Sequence, residues 1–159
     1  MKTIALLILL FAFFRTSRST KKAYAQVGFI TSFVVLIDIS MKYLAEYAQD
    51  SLSWWSWPVV YNTGISFGIG LGFFSIVGWV FLAAFVTSVI VRWIRSSELQ
   101  HSKKSEAVPW ISKIASGLLI GGIWANTIDR VLIGSVRDWL PIPGVYQLTG
   151  IALYNNLAD

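Results

Sequence analysis

Cysteine is absent from all 159 residues, and histidine occurs once, at His101. The first absence excludes disulfides, thiolate nucleophiles and cysteine-bound metal. The second removes almost all imidazole chemistry. Charge is also scarce: Asp, Glu, Lys and Arg make up 13% of the chain, against roughly 25% in an ordinary soluble domain. Apolar residues take that place, at 55%. A chain this apolar has too little polar surface to cover itself, so lipid must solvate part of it. The 8 tryptophans agree, because Trp collects at membrane–water interfaces. A net charge of +5 does not point to nucleic acid. The basic residues lie between apolar runs, where they face anionic lipid heads or set topology, and no nucleic-acid-reading motif accompanies them.

The length fits one domain. Any hydrolytic chemistry must come from carboxylates, from Ser/Lys or from bound ions. Residues 3–14 are apolar but shorter than the roughly 20 residues a span needs. They resemble a signal-peptide core, yet Arg15, Arg18, Lys21 and Lys22 separate them from the A-x-A-like Ala23-Tyr24-Ala25, where a cleavage site would not carry them. Residues 1–22 are therefore expected to be an uncleaved apolar and basic extension. Residues 23–159 form the membrane domain.

Three longer apolar stretches follow, at about 23–47, 69–91 and 110–128. The middle one carries no ionisable residue. The last contains Gly117, Gly121 and Gly122, which permit close helix packing, and it ends on Asp129-Arg130. Basic residues gather before the first long span and, as Arg92, Arg95, Lys103, Lys104 and Lys113, between the second and third. The positive-inside rule makes both segments cytoplasmic. Residues 46–68 and 129–159 are then outside. In the former, Ser53-Trp54-Trp55-Ser56-Trp57-Pro58 reads as an interfacial aromatic cluster, Val59-Val60-Tyr61 as a short strand and Asn62-Thr63-Gly64 as a turn. Leu140-Pro141-Ile142-Pro143-Gly144 reads as a second turn-rich piece. Residues 145–154 fit a strand or a membrane-entering segment equally.

The outer face thus collects Asp38, Lys42, Asn62, Asn126, Asp129, Arg130, Asp138, Asn156 and Asp159. Ionisable groups at membrane depth cost roughly 2.5–3.5 kcal/mol unless paired or hydrated. Asp38 and Lys42, spaced i,i+4, can pair. Asp129 and Arg130 are adjacent, so each is expected to find another partner. Asp138 and Asp159 have no basic neighbour at helical spacing, and Arg137 points away from Asp138 on a strand. Two carboxylates in a partly dry cleft do not both ionise readily. The charged one can activate water while the protonated one polarises a carbonyl. The plain alternatives are solvated loop aspartates, or Asp159 facing the start of a helix capped by Asn156. Gly64-Ile65-Ser66-Phe67-Gly68 matches the G-x-S-x-G nucleophile pattern, but His101 lies in the opposite loop, which argues against a serine hydrolase. A transporter with Asp38 and Lys42 lining a path is disfavoured, because the polar residues crowd one face and do not line a span.

These pieces, in this order, resemble the lipoprotein signal peptidases (signal peptidase II), membrane aspartic proteases of bacteria. D-x-x-x-K appears as Asp38 to Lys42, N-x-G-x-x-F as Asn62 to Phe67, and G-G-x-x-G-N-x-x-D-R as Gly121 to Arg130, with Ala125 in place of the last glycine. V-x-D-F appears as Val136-Arg137-Asp138-Trp139 and F-N-x-A-D as Asn155-Asn156-Leu157-Ala158-Asp159. The resemblance covers about residue 23 to the end. It implies a mainly α, four-helix transmembrane bundle with a small extracytoplasmic β-rich segment, multi-pass in the bacterial cell membrane, the active site on its outer face. It implies a catalytic dyad of Asp138 and Asp159. It also implies substrate-positioning roles for Asn62, Gly64, Asn126, Arg130 and Asn156, and support from Asp38, Lys42 and Asp129. The implied substrate is a prolipoprotein carrying diacylglycerol on its lipobox cysteine, cut just before that residue to release the signal peptide. No metal or cofactor, no nucleic acid and a monomer in membrane lipid are implied.

Departures are the Ala125 methyl, Asn155 for an aromatic, Trp139 for Phe, and a chain that stops on the second aspartate. The family continues there into a fourth helix. The expectation is a C-terminally incomplete chain whose full form carries about 15–25 further, largely apolar residues, the length of one span. The alternative function is a non-catalytic degenerate paralogue or accessory membrane protein.

Overall fold

The computed structural model of the chain describes residues 18–55, 57–63, 73–103, 109–142 and 154–158. Three helices dominate: α1 (Arg18–Ser51), α2 (Phe73–Lys103) and α3 (Trp110–Ile133). All three are long and apolar enough to cross a membrane. In hydrocarbon every backbone polar group must be satisfied internally, so an apolar run with no water to bond is driven into a helix. Large apolar side chains such as Phe29, Phe81, Phe85 and Leu118 are exposed along these helices. In water that surface would be costly; against lipid tails it is not. The chain is a mainly α, polytopic membrane protein.

Helices α1 and α3 run in the same direction and pack closest, because α3 presents glycines at i,i+4. A Cβ on Gly117 would come within 2.6 Å of Ile30, and one on Gly121 within 2.7 Å of Val34 Cβ. The hydroxyl of Thr31 also donates to the Gly117 carbonyl at 3.3 Å. Small residues at such a seam let two backbones approach without a hydrophobic drive. Helix α2 returns antiparallel to both. Its Thr87 accepts the indole N–H of Trp124 at 3.0 Å, and its Val91 carbonyl accepts the Tyr24 hydroxyl at 3.3 Å. At the far end Lys113 lies 3.6 Å from Glu98 and donates to Gln26 at 3.2 Å, so one ammonium joins α3 to both other helices.

Among the described residues, four short strands sit at the opposite end. Strand β1 (Val60–Asn62) pairs antiparallel with β2 (Val136–Asp138), in the register Val60 to Asp138, Tyr61 to Arg137 and Asn62 to Val136. Strand β3 (Leu140–Pro141) pairs antiparallel with β4 (Tyr154–Asn155). Under them Ala45, Val59 and Trp139 form a buried cluster with Met41 and Trp55 packed against it.

Several boundaries differ from those read off hydropathy. Helix α1 continues through Ser51, so residues 46–51 are helical, a few residues past the end of the apolar stretch. Helix α3 carries on past Asp129-Arg130 for most of a turn. It stops where Gly134 adopts the left-handed conformation (φ 79°) and returns its N–H to the Arg130 carbonyl at 3.0 Å, the usual way a helix is closed by glycine. Asn62 is the last residue of a strand and not the first of a turn. Leu140–Pro141, read as turn, forms β3; proline is tolerated there because a two-stranded pair leaves an edge free of ladder bonds. The G-x-S-x-G segment and most of residues 145–154 lie outside the described residues.

The glycine seam makes a direct prediction. Gly121→Ala pushes a methyl onto Val34, and overpacking of this kind costs about 1–3 kcal/mol. Chemical denaturation in mixed micelles should register that loss; unchanged stability would mean that α1 and α3 do not approach as closely as described.

Candidate active site

The polar residues of α1 and α3 meet at the strand-bearing end of the bundle. The spacing of Asp38, Lys42 and Glu46 puts all three on one stripe of α1. Asn126 and Asp129 share the facing stripe of α3. The Lys42 ammonium lies 2.5 Å from Asp38 Oδ2, 2.9 Å from Asn126 Oδ1 and 3.4 Å from Asp129 Oδ2. Lys42 is 0% exposed, and both aspartates are 1% exposed. An ammonium has three donors, and here three oxygens meet them. Taking ions out of water costs several kcal/mol each unless geometry and hydrogen bonds compensate. The three oxygens supply that compensation around Lys42, while Asp38 Oδ1 lies buried without a hydrogen-bond partner among the described residues.

Asp129 extends the pairing into the strands. Arg137 of β2 grips it with Nη2 on Oδ1 at 2.6 Å and Nε on Oδ2 at 3.2 Å, and its backbone N–H donates to Oδ2 at 3.2 Å. The remaining arm of Arg137, Nη1, reaches Glu46 Oε2 at 2.8 Å, and the guanidinium lies over the Tyr43 ring at 4.2 Å. Burial alone would lower the Arg137 pKa. The hydrogen bonds and charges of Asp129 and Glu46 outweigh it and hold the group above its ordinary value. The Tyr61 hydroxyl donates to Glu46 Oε1 at 2.6 Å. That bond, with desolvation, holds the phenol pKa above its usual 10.0.

Asp138 follows Arg137 and so faces the other side of the strand. It is buried. Its Oδ1 accepts from the Asn156 amide at 2.8 Å, and its Oδ2 accepts from the Asn62 amide at 3.2 Å. Asn156 is fixed in turn, because its own oxygen accepts the Ala158 N–H at 2.8 Å. This two-residue contact is an Asx-type turn, the same contact an N-cap makes to the second residue of a helix. Ala158 leans on α3: any Cβ at Gly122 would collide with the Ala158 carbonyl oxygen. Trp139, on the far side of Asp138, is buried among Ala45 and Val59, and its backbone N–H donates to the Asn155 carbonyl at 2.9 Å. Asp138 is therefore flanked by an ionic anchor and an apolar one, both on the face opposite its carboxylate.

The structure brings Asp138, Asn62 and Asn156 together, and in a neighbouring group Asp38, Lys42, Asn126 and Asp129. Arg130, on α3, lies over the Trp79 ring at 4.6 Å. Gly64 and Asp159 lie outside the described residues. Sequence reasoning missed Glu46, Arg137, Tyr43 and Tyr61. Two signals were available: Glu46 continues the i,i+4 series of Asp38 and Lys42, and Arg137 must face away from Asp138, toward whatever carboxylate the helices offer.

Fold and site define a multi-pass membrane protein with a buried acidic centre at one end of its bundle. A model of the signal peptidase (SPase) II family matches residues 30–159, and the chain belongs to that family. It is similar to the lipoprotein signal peptidase of Pseudomonas syringae pv. tomato, with 29% identity over 123 residues, 70% of this chain and 65% of that protein. It is also similar to those of Pseudomonas aeruginosa, with 33% identity over 87 residues (54% and 47%), and Xanthomonas oryzae pv. oryzae, with 32% over 92 residues (54% and 48%). The matched stretch spans about half to just under two thirds of the length of these relatives.

The Lys42 centre makes the second prediction. Lys42→Met leaves two buried carboxylates short of a cation, and breaking a buried pair costs about 3–5 kcal/mol. Replacing Asp38 as well, by Leu, should recover part of that loss, since an apolar pair can substitute for a buried ionic one. Denaturation in micelles checks both. A double variant no more stable than Lys42→Met would show that charge compensation is not the cause.

Proposed function

We propose that the chain is a lipoprotein signal peptidase. In this reading it is an aspartic endopeptidase that cuts the peptide bond before the diacylglyceryl-modified cysteine of a prolipoprotein and so frees the signal peptide. The observation that carries the reading is the Asp138 carboxylate. It is buried, accepts from the amides of Asn62 and Asn156, and is held at the strand-bearing end of a bundle whose family is signal peptidase II. Asp159 is proposed as its partner from the sequence pattern alone.

The chemistry follows from two carboxylates that share a proton. The ionised one takes a proton from water as its oxygen attacks the scissile carbonyl. The protonated one donates to the carbonyl oxygen, and the leaving amine receives a proton as the tetrahedral intermediate collapses. Asn62 and Asn156 fix the orientation of Asp138. Asn126 and Arg130 are proposed to hold substrate backbone nearby, with Asp38, Lys42 and Asp129 supporting them. The diacylglycerol tails stay in lipid and contribute affinity of about 0.8 kcal/mol per buried CH₂, so the site needs to recognise little more than backbone and a small side chain. The strand end is proposed to face the outside of a bacterial plasma or inner membrane. This agrees with the basic residues at the other end.

The two substitutions weighed for a non-catalytic paralogue are both accommodated by the fold. The Asn155 departure falls on an exposed side chain whose backbone does the pairing, and the Ala125 methyl is accommodated at 0% exposure.

Asp138→Asn keeps the size and one of the two amide contacts, the other becoming donor against donor, and removes the titratable carboxylate. It should lower cleavage of diacylglyceryl prolipoprotein by roughly 10²–10⁴-fold, the usual contribution of a general acid or base, with helical content unchanged. Wild-type rates in that variant would remove Asp138 from the chemistry.

A further inference from the structure

The geometry points to Arg137 as a positioning residue for Asp138, acting through a closed clamp of Glu46, Tyr61 and Asp129; this rests on the peptidase reading above. The clamp starts on α3, where Asp129 offers both carboxylate oxygens to the Arg137 guanidinium at 2.6 and 3.2 Å. It crosses to α1 through Glu46 at 2.8 Å and through the Tyr43 ring. From Glu46 it passes to β1 through the Tyr61 hydroxyl at 2.6 Å. It closes because Tyr61 and Arg137 are register partners in the β1–β2 pair. The next residue along each strand is a component of the reacting cleft: Asn62 after Tyr61, Asp138 after Arg137, and these two are joined at 3.2 Å.

A two-stranded pair of three residues a side cannot hold itself in water or at a membrane surface. Its position must come from side chains bound to something rigid. Arg137 supplies this, since a planar guanidinium presents five donors in a fixed fork. Here it spends them on two helices while it lies almost fully buried. Lysine carries the same charge but cannot bind both Asp129 oxygens and Glu46 at once. The apolar anchor at Trp139 holds the other side of Asp138 and prevents outright unfolding when the clamp is lost. The expected defect is therefore a loosened carboxylate in a folded protein.

The test uses the full chain in detergent micelles, wild type against Arg137→Ala, Arg137→Lys and Glu46→Gln. On diacylglyceryl prolipoprotein, Arg137→Ala should lower kcat about 10- to 100-fold, because small misplacement of a reacting group is costly, while KM changes less than about threefold. Arg137→Lys should recover only a minor part, and added guanidinium ion should raise the rate of Arg137→Ala but not of Asp138→Asn. Independently of activity, hydrogen exchange at the amides of residues 60–62 and 136–139 should quicken at least tenfold in Arg137→Ala, with α1, α2 and α3 unchanged. Unchanged exchange at those strands overturns the clamp, as does full recovery of kcat by lysine. A wild-type chain that fails to cleave, yet shows the exchange difference, overturns the peptidase reading and leaves the clamp standing.

Discussion

The Lys42 ammonium, sealed between α1 and α3, is the constraint on which the upper half of the molecule depends. A lone charge at that depth would be prohibitive. It is tolerated because Asp38, one turn back on its own helix, and Asn126 and Asp129 across the seam complete its coordination. The seam itself has to be narrow for these groups to touch, and Gly117 and Gly121 make it narrow. Packing and electrostatics are thus one problem here: small residues below set the distance at which the ions above can pair.

From Asp129 the same network passes through Arg137 and Glu46 to the strands. Three carboxylates are balanced by two cations, and the least buried carboxylate, Glu46, sits at the rim. Strand alternation then does the sorting. Arg137 and Trp139 turn inward to an ionic and an apolar anchor, and Asp138 between them turns to the opposite side, where the Asn156 and Asn62 amides donate to it.

Much of this was legible in the sequence. The spans, the mainly α class and the family resemblance follow from apolar runs, basic loops and spaced polar motifs. Asp38 with Lys42 follows from i,i+4 spacing alone. The clamp was not legible in the same way. Glu46 lay in what hydropathy marks as the end of a span, so its helical phase with Lys42 went unused. Strand alternation turns Arg137 away from Asp138, but it does not say which carboxylate Arg137 then meets. Nor does spacing reveal that Tyr61 and Arg137 are opposite each other, since β1 and β2 are separated by two helices. Such long-range register is fixed only by the fold.

The buried ionic centre between the helices holds the strands that carry Asp138. The absence of cysteine makes a direct measurement simple. Spin labels placed by Val60→Cys on β1 and Leu132→Cys on α3, both exposed positions, report the distance between strand and bundle by pulsed electron resonance in lipid nanodiscs. One narrow distance distribution is expected in the otherwise native chain, and a broad or shifted one when Lys42 is replaced by Met, read in the folded fraction. An equally narrow distribution in both would show that the centre does not hold the strands.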